Sequence, residues 1–203
     1  MGNSVQQTSD GGFIITGETL SYGAGYDDIW LIKTDSMGNK EWDRTFGRSG
    51  RDYADSVQQT NDGGYVIAGE TRSHGADYID VWLIKTDSRG NKEWDRTFGG
   101  SESDWGNSAK QTYDGVFIIT GGTESYGAGE SDVWLIKTGS MGNTAWDRTF
   151  GGSDSDWGNS VEQTSNGGSS SQAGLISCGA GESDVWLIKT DFEGKCVQAM
   201  EME

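Results

Sequence analysis

Proline is absent from this 203-residue chain, histidine occurs once, cysteine twice, and bases are outnumbered by acids 15 to 32. Each shortage removes a class of function. With His74 as the single histidine, no Ser-His-Asp set and no multi-histidine metal site can recur along the chain. The cysteines, Cys178 and Cys196, lack CxxC spacing. A strand expected at 184–190 would hold them near its opposite ends, about 20 Å apart at about 3.3 Å per residue, which argues against an intrachain disulfide. A formal charge of −17 removes nucleic acid as a partner, because phosphate binding needs a clustered positive footprint, and it sets the chain against an anionic membrane. Such acidity suits a soluble extracellular protein, a high-salt medium or a cation-binding surface. No stretch approaches the about 18 apolar residues of a membrane helix, and Met1-Gly2-Asn3 begins inside a repeat with no signal peptide ahead of it. The expectation is a cytoplasmic chain, or a mature or excised piece of something longer.

What is present is a repeat. Trp30, Trp82, Trp134 and Trp186 stand 52 residues apart, each opening Trp-Leu-Ile-Lys-Thr. Trp42, Trp94 and Trp146 recur at the same interval inside Trp-Asp-Arg-Thr-Phe-Gly, and Gln198 stands where a fourth is due. A period of this size marks propellers, solenoids or arrays, whose units need neighbours to bury their apolar faces. Thirty-three glycines, no proline and many aromatic residues suit short strands joined by glycine turns, and no helix is expected. The apolar fraction of 33% is low, yet the apolar residues keep phase with the repeat, which argues against disorder.

The second unit shows the plan. Ser56-Val57-Gln58-Gln59-Thr60 leads into Asn61-Asp62-Gly63-Gly64, a set of residues that tolerates positive φ and favours a tight hairpin. Tyr65-Val66-Ile67-Ala68-Gly69 makes a second strand. After a polar loop at 73–79, the continuous apolar core of Asp80-Val81-Trp82-Leu83-Ile84-Lys85-Thr86 predicts a strand covered on both faces. Lys92 to Phe98 alternates, with Trp94, Arg96 and Phe98 on one side, as an outer strand with one wet face does. Four antiparallel strands per unit predict an all-β β-propeller of four four-stranded blades, at about 2–53, 54–105, 106–157 and 158–203, in a single domain. Two copies pairing into an eight-bladed ring are the alternative. A linear β-solenoid fits less well, since solenoids repeat at shorter periods and carry end caps.

The units Gly-Gly-Ser-Asp-Ser-Asp-Trp-Gly-Asn-Ser-Val-Glu-Gln-Thr (151–164), Asn61 to Gly69 and Asp80 to Asp87 resemble the tandem β-propeller repeats of large surface and secreted proteins of methanogenic archaea and Bacteroidetes. The resemblance covers nearly the whole chain. It implies a propeller and an extracellular or envelope setting, and carries no common activity or catalytic motif.

In this strand order the second-to-third loops (21–27, 73–79, 125–131, 177–183) and the inter-unit loops (47–54, 99–106, 151–158) emerge on one face. That face gathers aromatic rings and carboxylates, the pairing a sugar site uses. Candidate ligand-binding residues are Tyr53, Trp105 and Trp157 for stacking and Asp52, Asp104 and Asp156 for polar contact. The competing reading is that these rings plug gaps between blades. Alternating acids in Ser-Glu-Ser-Asp (101–104) and Ser-Asp-Ser-Asp (153–156) offer oxygens for Ca²⁺ through Glu102, Asp104, Asp154 and Asp156, without the spacing of an EF-hand. Asp28, Asp80, Asp132 and Asp184, just before the third strands, read as turn or inter-blade hydrogen-bonding residues. Nothing singles out one carboxylate pair for glycoside hydrolysis. The expectation is a non-enzymatic module binding glycans or proteins, as monomer or homodimer. A structural or adhesive segment and a glycosidase are the alternatives.

The fourth unit departs from the others. Phe117-Ile118-Ile119-Thr120-Gly121-Gly122 becomes Ser169-Ser170-Ser171-Gln172-Ala173-Gly174. Codons TTC ATC ATC ACA GGC GGG, read one base later, give Ser-Ser-Ser-Gln-Ala-Gly, so a compensated frameshift over about 169–178 is the hypothesis. The gene is expected to carry codons compatible with that shift, and incompatible codons sink the idea. Restoring the three large apolar side chains is expected to raise stability by several kcal/mol in urea unfolding, at about 2–5 for each core truncation.

Overall fold

A computed structural model describes residues 1–73, 78–163, 175–178 and 185–202. Within them lie three four-stranded antiparallel sheets, a three-stranded one, and no helix. The first sheet holds β1 (Gly2–Gln7), β2 (Phe13–Thr19), β3 (Asp28–Thr34) and β4 (Lys40–Phe46). The second holds β5 (Asp52–Gln59), β6 (Tyr65–Thr71), β7 (Asp80–Thr86) and β8 (Lys92–Phe98). The third holds β9 (Asp104–Gln111), β10 (Phe117–Thr123), β11 (Asp132–Thr138) and β12 (Thr144–Phe150). Each is a meander in chain order. In the fourth unit β13 (Leu175–Cys178), β14 (Val185–Thr190) and β15 (Cys196–Met202) pair in the same way. Residues 169–174 of the frameshift hypothesis lie outside the described residues. Cys178 stands opposite Trp186 and Cys196 opposite Thr190 along β14, and Cys196 is a free thiol.

The turns form where the sequence demands them. In the second unit Gly63 adopts φ 81°, and the Asp62 carboxylate accepts from the Thr60 hydroxyl (2.5 Å) and the Gly64 N–H (3.0 Å). In the next turn Asp87 accepts from the Asn91 side chain (2.9 Å) and from the N–H groups of Asn91 and Arg89, both at 2.8 Å, which together hold its carboxyl below its ordinary range. The third and fourth strands fall where the pattern places them. The first begins four residues early, at Asp52, because a register shift between Ala54 and Ser56 lets the pairing continue past the expected end.

Sheets stack face to face, so no sheet continues from one unit into the next. Here the leading face is the one turned to the preceding unit and the trailing face the one turned to the following unit. Ile14, Ile29 and Leu31 of the first unit pack against Val57, Tyr65, Ile67, Trp82 and Ile84 of the second. Val66, Val81, Leu83, Trp94 and Phe98 then pack against Phe117, Ile119, Trp134 and Ile136 of the third. Ile118, Val133 and Leu135 receive Val161 and Ile188 of the fourth. The outer-strand tryptophans complete each contact. A side chain on Gly90 would meet the Trp42 indole at 2.6 Å, and Gly142 and Gly194 meet Trp94 and Trp146 at 2.7 Å, so glycine is what lets the indoles seat.

First strands would otherwise leave one edge of unpaired N–H groups. Side chains of neighbouring units satisfy them: Gln6 Oε1 accepts from Gln59 N (2.7 Å), Gln58 Oε1 from Gln111 N (2.9 Å), and Ser56 Oγ from Ala109 N (3.1 Å). In return Gln59, Gln111 and Gln163 accept from Ser9, Asn61 and Tyr113 N, each at 2.8 Å. The Ser-Val-Gln-Gln motif is thus the stitch between units. The stack is not closed. Val5 on the leading face of the first unit is 64% exposed, whereas Val57 is 6% and Val161 0%. Trp94→Ala is expected to cost about 3–5 kcal/mol in urea unfolding, since it opens the contact between the second and third units. A loss under 1 kcal/mol would contradict this packing.

Candidate functional site

The loop face forms where each unit is tied to the next. Asp27 O accepts from Asp52 N (2.8 Å), Ile79 O from Asp104 N (2.7 Å) and Ser131 O from Asp156 N (2.8 Å), which brings the two expected loop sets together. The acids at these junctions serve the loops. Asp52, fully buried, accepts from the Thr71 hydroxyl, the Ser73 hydroxyl (2.5 Å) and Arg48 N (3.2 Å). Asp104 accepts in the same way from Thr123, Ser125 (2.7 Å) and Gly100 N (2.9 Å), and Asp156 from Gly152 N (3.1 Å). Burial, then repulsion by Asp132 and Asp154, raise the Asp156 carboxyl even though the Gly152 N–H favours its charge. Asp28 and Asp132 accept from Gly25 N (3.0 Å) and Ala128 N (2.7 Å), the loop role expected of them.

The aromatic candidates sit between units. The Tyr53 hydroxyl donates to Asp27 Oδ2 (3.0 Å). Trp105 and Trp157, both half-buried, meet edge to face with centroids 4.8 Å apart. A side chain on Gly122 would come within 2.7 Å of the Trp157 ring, so a glycine stands where the earlier units carry Glu18 and Glu70. Glu102 and Asp154 are exposed. Among the described residues no group of three or more acidic, histidine or cysteine side chains is placed to hold a metal ion.

A second aromatic arrangement lies toward the rim, one the loop composition alone did not single out. Tyr126 packs on Trp134 with centroids 5.2 Å apart, and Tyr22 on Trp30 at 5.5 Å. Both indoles donate Nε1–H to a carboxylate of the outer strand, Trp134 to Asp147 (3.1 Å) and Trp30 to Asp43 (3.0 Å). Tyr126 is anchored through its hydroxyl, which donates to Gly99 O (3.0 Å), yet 44% of the residue is exposed. Beside it an open cavity of about 330 Å³ runs between the second and third units, lined by Thr97, Phe98, Gly99, Tyr126, Trp134, Ile136, Thr144 and Asp147. Its walls combine an apolar ring face with hydroxyls and a carboxylate. The signal for it was the aromatic residue at positions 22 and 126, eight residues before each third-strand tryptophan.

Electrostatic strain concentrates at the second unit. Asn3 donates to Glu18 Oε2 (3.0 Å), and Asn107 to Gly158 O (3.0 Å). The matching position is Asp55, a carboxyl where the neighbouring units carry an amide donor, and it stands near Glu70. Burial and then repulsion by Asp55 push the Glu70 carboxyl up to about 7; burial and then repulsion by Glu18 push Asp55 up to about 6. Glu70 is half-buried while Asp55 keeps more solvent contact, so Glu70 is the firmer of the two. The native state therefore holds more protons than the unfolded chain from about pH 4.5 to about 7, and stability falls as pH rises through that window. Asp55→Asn is expected to restore a donor toward Glu70, flatten the dependence and raise the melting temperature at pH 8. An unchanged pH profile would contradict this arrangement.

No family model and no curated protein matches the sequence. Among solved structures, the chain is similar to a protein of unknown function from Bacteroides caccae, with a TM-score of 0.57 and 13% identity over 98% of this chain and 60% of that one. The likeness is one of fold, and this chain spans about 60% of that chain's length.

Proposed function

We propose that the stacked sheets are blades of a β-propeller and that its loop face is a non-enzymatic binding surface for glycans, set in an extracellular or cell-surface protein. The observation that carries this reading is the cavity beside Tyr126: an exposed ring over Trp134, with Thr97, Thr144 and Asp147 within the same lining. A ring face covers the C–H surface of a sugar while hydroxyls and a carboxylate take its O–H groups. Recurrence of the ring pair at Tyr22 and Trp30 fits a module that gains affinity from several weak sites. The four-bladed ring and the eight-bladed ring of two copies are both compatible with blades of this form.

A structural or adhesive segment is the second reading. It is favoured by how fully Asp52 and Asp104 are engaged in holding the loops of their own units, and Tyr53, Trp105 and Trp157 in joining units. Calcium remains a proposal for Glu102, Asp104, Asp154 and Asp156, to be read from a chelator arm.

A glycan array probed with and without calcium separates these readings. Selective binding lost at least tenfold in Tyr126→Ala, with an unchanged melting temperature, is the expected outcome. Trp105→Ala and Trp157→Ala are expected to lower the melting temperature instead. Silence of the wild type in both conditions would sink the glycan reading, and loss in chelator alone would move the acidic loops from structural to metal-binding.

A further inference from the structure

The cavity beside Tyr126 departs from the repeat at one of the positions that line it. In the first unit Asp43 takes the Trp30 indole on Oδ2 and the Lys40 ammonium on Oδ1, each at 3.0 Å. The second unit repeats this, with the Trp82 indole on Asp95 Oδ2 (3.2 Å) and Lys92 on Oδ1 (3.1 Å). The third unit keeps the indole, which donates to Asp147 Oδ2 at 3.1 Å, but carries Thr144 where the other two carry lysine. Asp147 Oδ1 is thus left without the ammonium that covers its counterparts, on a residue that is exposed.

Nothing else in the cavity replaces that charge. Among the described residues no lysine or arginine lines it. The neighbouring Arg148 is occupied elsewhere: its guanidinium lies over the Trp146 ring at 5.6 Å, donating from Nη1 to Asp147 O (2.6 Å) and from Nη2 to Glu193 O (3.0 Å). The rest of the lining adds to the negative field, because Phe98, Tyr126 and Trp134 share it and the face of an aromatic ring is itself negative. The Tyr126 hydroxyl feels the same field: burial first, then the charges of Asp104, Asp147 and Asp80, raise it above its ordinary value. An anionic ligand is repelled here and a neutral one draws little from Oδ1. A cation gains from the carboxylate and from the rings together.

We propose that the third-unit cavity selects a sugar bearing a free amine, with the ammonium of a hexosamine seated between the Asp147 carboxylate and the faces of Tyr126 and Trp134. The proposal rests on the reading of the loop face as a glycan-binding surface and names the sugar that this cavity takes. Thr144 is the residue that sets the preference, since a lysine there would neutralise Asp147 as Lys40 neutralises Asp43. The ring pair Tyr22 and Trp30 of the first unit, whose carboxylate is already paired, takes no part in the selection. N-acetylation removes the positive charge and with it the charge-assisted hydrogen bond, so it is the modification the cavity discriminates against.

Titration calorimetry at about pH 6, where such an amine is charged, compares a glucosamine oligosaccharide with its fully N-acetylated form of the same length. Wild type is expected to bind the amine form at least tenfold more tightly. Thr144→Lys, which installs the residue the first and second units already carry, is expected to abolish that difference with an unchanged melting temperature and unchanged binding of the N-acetylated form. Asp147→Asn is expected to do the same, its amide oxygen still accepting from Trp134. Equal binding of both forms by wild type overturns this inference and leaves the glycan reading standing. Binding of neither form also overturns it, and the glycan array then says whether the glycan reading falls with it. A preference for the amine form that survives both substitutions would come from the overall charge of −17 rather than from this cavity, and overturns the inference as well.

Discussion

Burial of one sheet's leading face on the trailing face of the sheet before it is the constraint on which the rest of this molecule depends. No single four-stranded meander of this chain can be stable in water, because both faces of its third strand are apolar. In the second unit all seven residues from Asp80 to Thr86 are buried, which requires a neighbour on either side. That requirement selects the large residues at 65, 67, 82 and 84 on one face and at 66, 81 and 83 on the other. The glycines at 90, 142 and 194, already demanded by the positive φ of their turns, also leave room for an indole arriving from the adjacent unit.

Polar features follow from the same stacking. Stacking the sheets face to face brings their first-strand edges side by side, so that backbone N–H groups there face a neighbour rather than water, and buried donors without acceptors cost about 1–3 kcal/mol each. The glutamines and serines of the first strands supply those acceptors in both directions across a junction. At the loop end, Asp52 and Asp104 act similarly, each collecting hydroxyl donors of its own unit and an amide donor of the preceding inter-unit loop, so that this loop is fixed against the start of the second-to-third loop. Lys33 and Lys85 close the opposite end, each buried and held by two carboxylates. Interface cohesion and loop geometry are therefore one property, and the cavity beside Tyr126 exists because two units meet there.

Strand order, turn chemistry and the two-sided burial of the third strand were legible in the sequence because each is a local matter of periodicity or of residues that tolerate positive φ. What lay out of reach depended on contacts between units. Asp52 and Asp104 read as ligand acids because their spacing beside tyrosine and tryptophan is the same whether they face solvent or a threonine hydroxyl. Trp105 and Trp157 read as a stacking platform because a sequence does not say that two rings 52 positions apart will pack on each other. Asp55 carried a usable signal: it breaks a column of asparagines formed by Asn3, Asn107 and Asn159, and departures inside a near-perfect repeat mark places where chemistry changes.

The acidity that first suggests a cation-binding surface has a plainer origin in this architecture. Aspartate is the shortest side chain offering two acceptors, and most units call on it for the same tasks, Gly139, Asn166 and Ala199 being the exceptions. It closes the first turn (Asp10, Asp62, Asp114), caps the second (Asp35, Asp87, Asp191), takes the indole N–H (Asp43, Asp147) and anchors the junction (Asp52, Asp104, Asp156). Asp10, Asp62 and Asp43 are paired with Lys33, Lys85 and Lys40, whereas Asp35, Asp52, Asp104 and Asp156 are held by hydroxyl and amide donors, so acids outnumber bases. Local balance fails where acids meet without a donor between them, as at Asp55 and Glu70 or at Asp80, whose carboxyl burial and Asp104 drive upward. Those positions, together with Asp156 in the acidic loop at 153–156, are where a change of pH is felt by the fold.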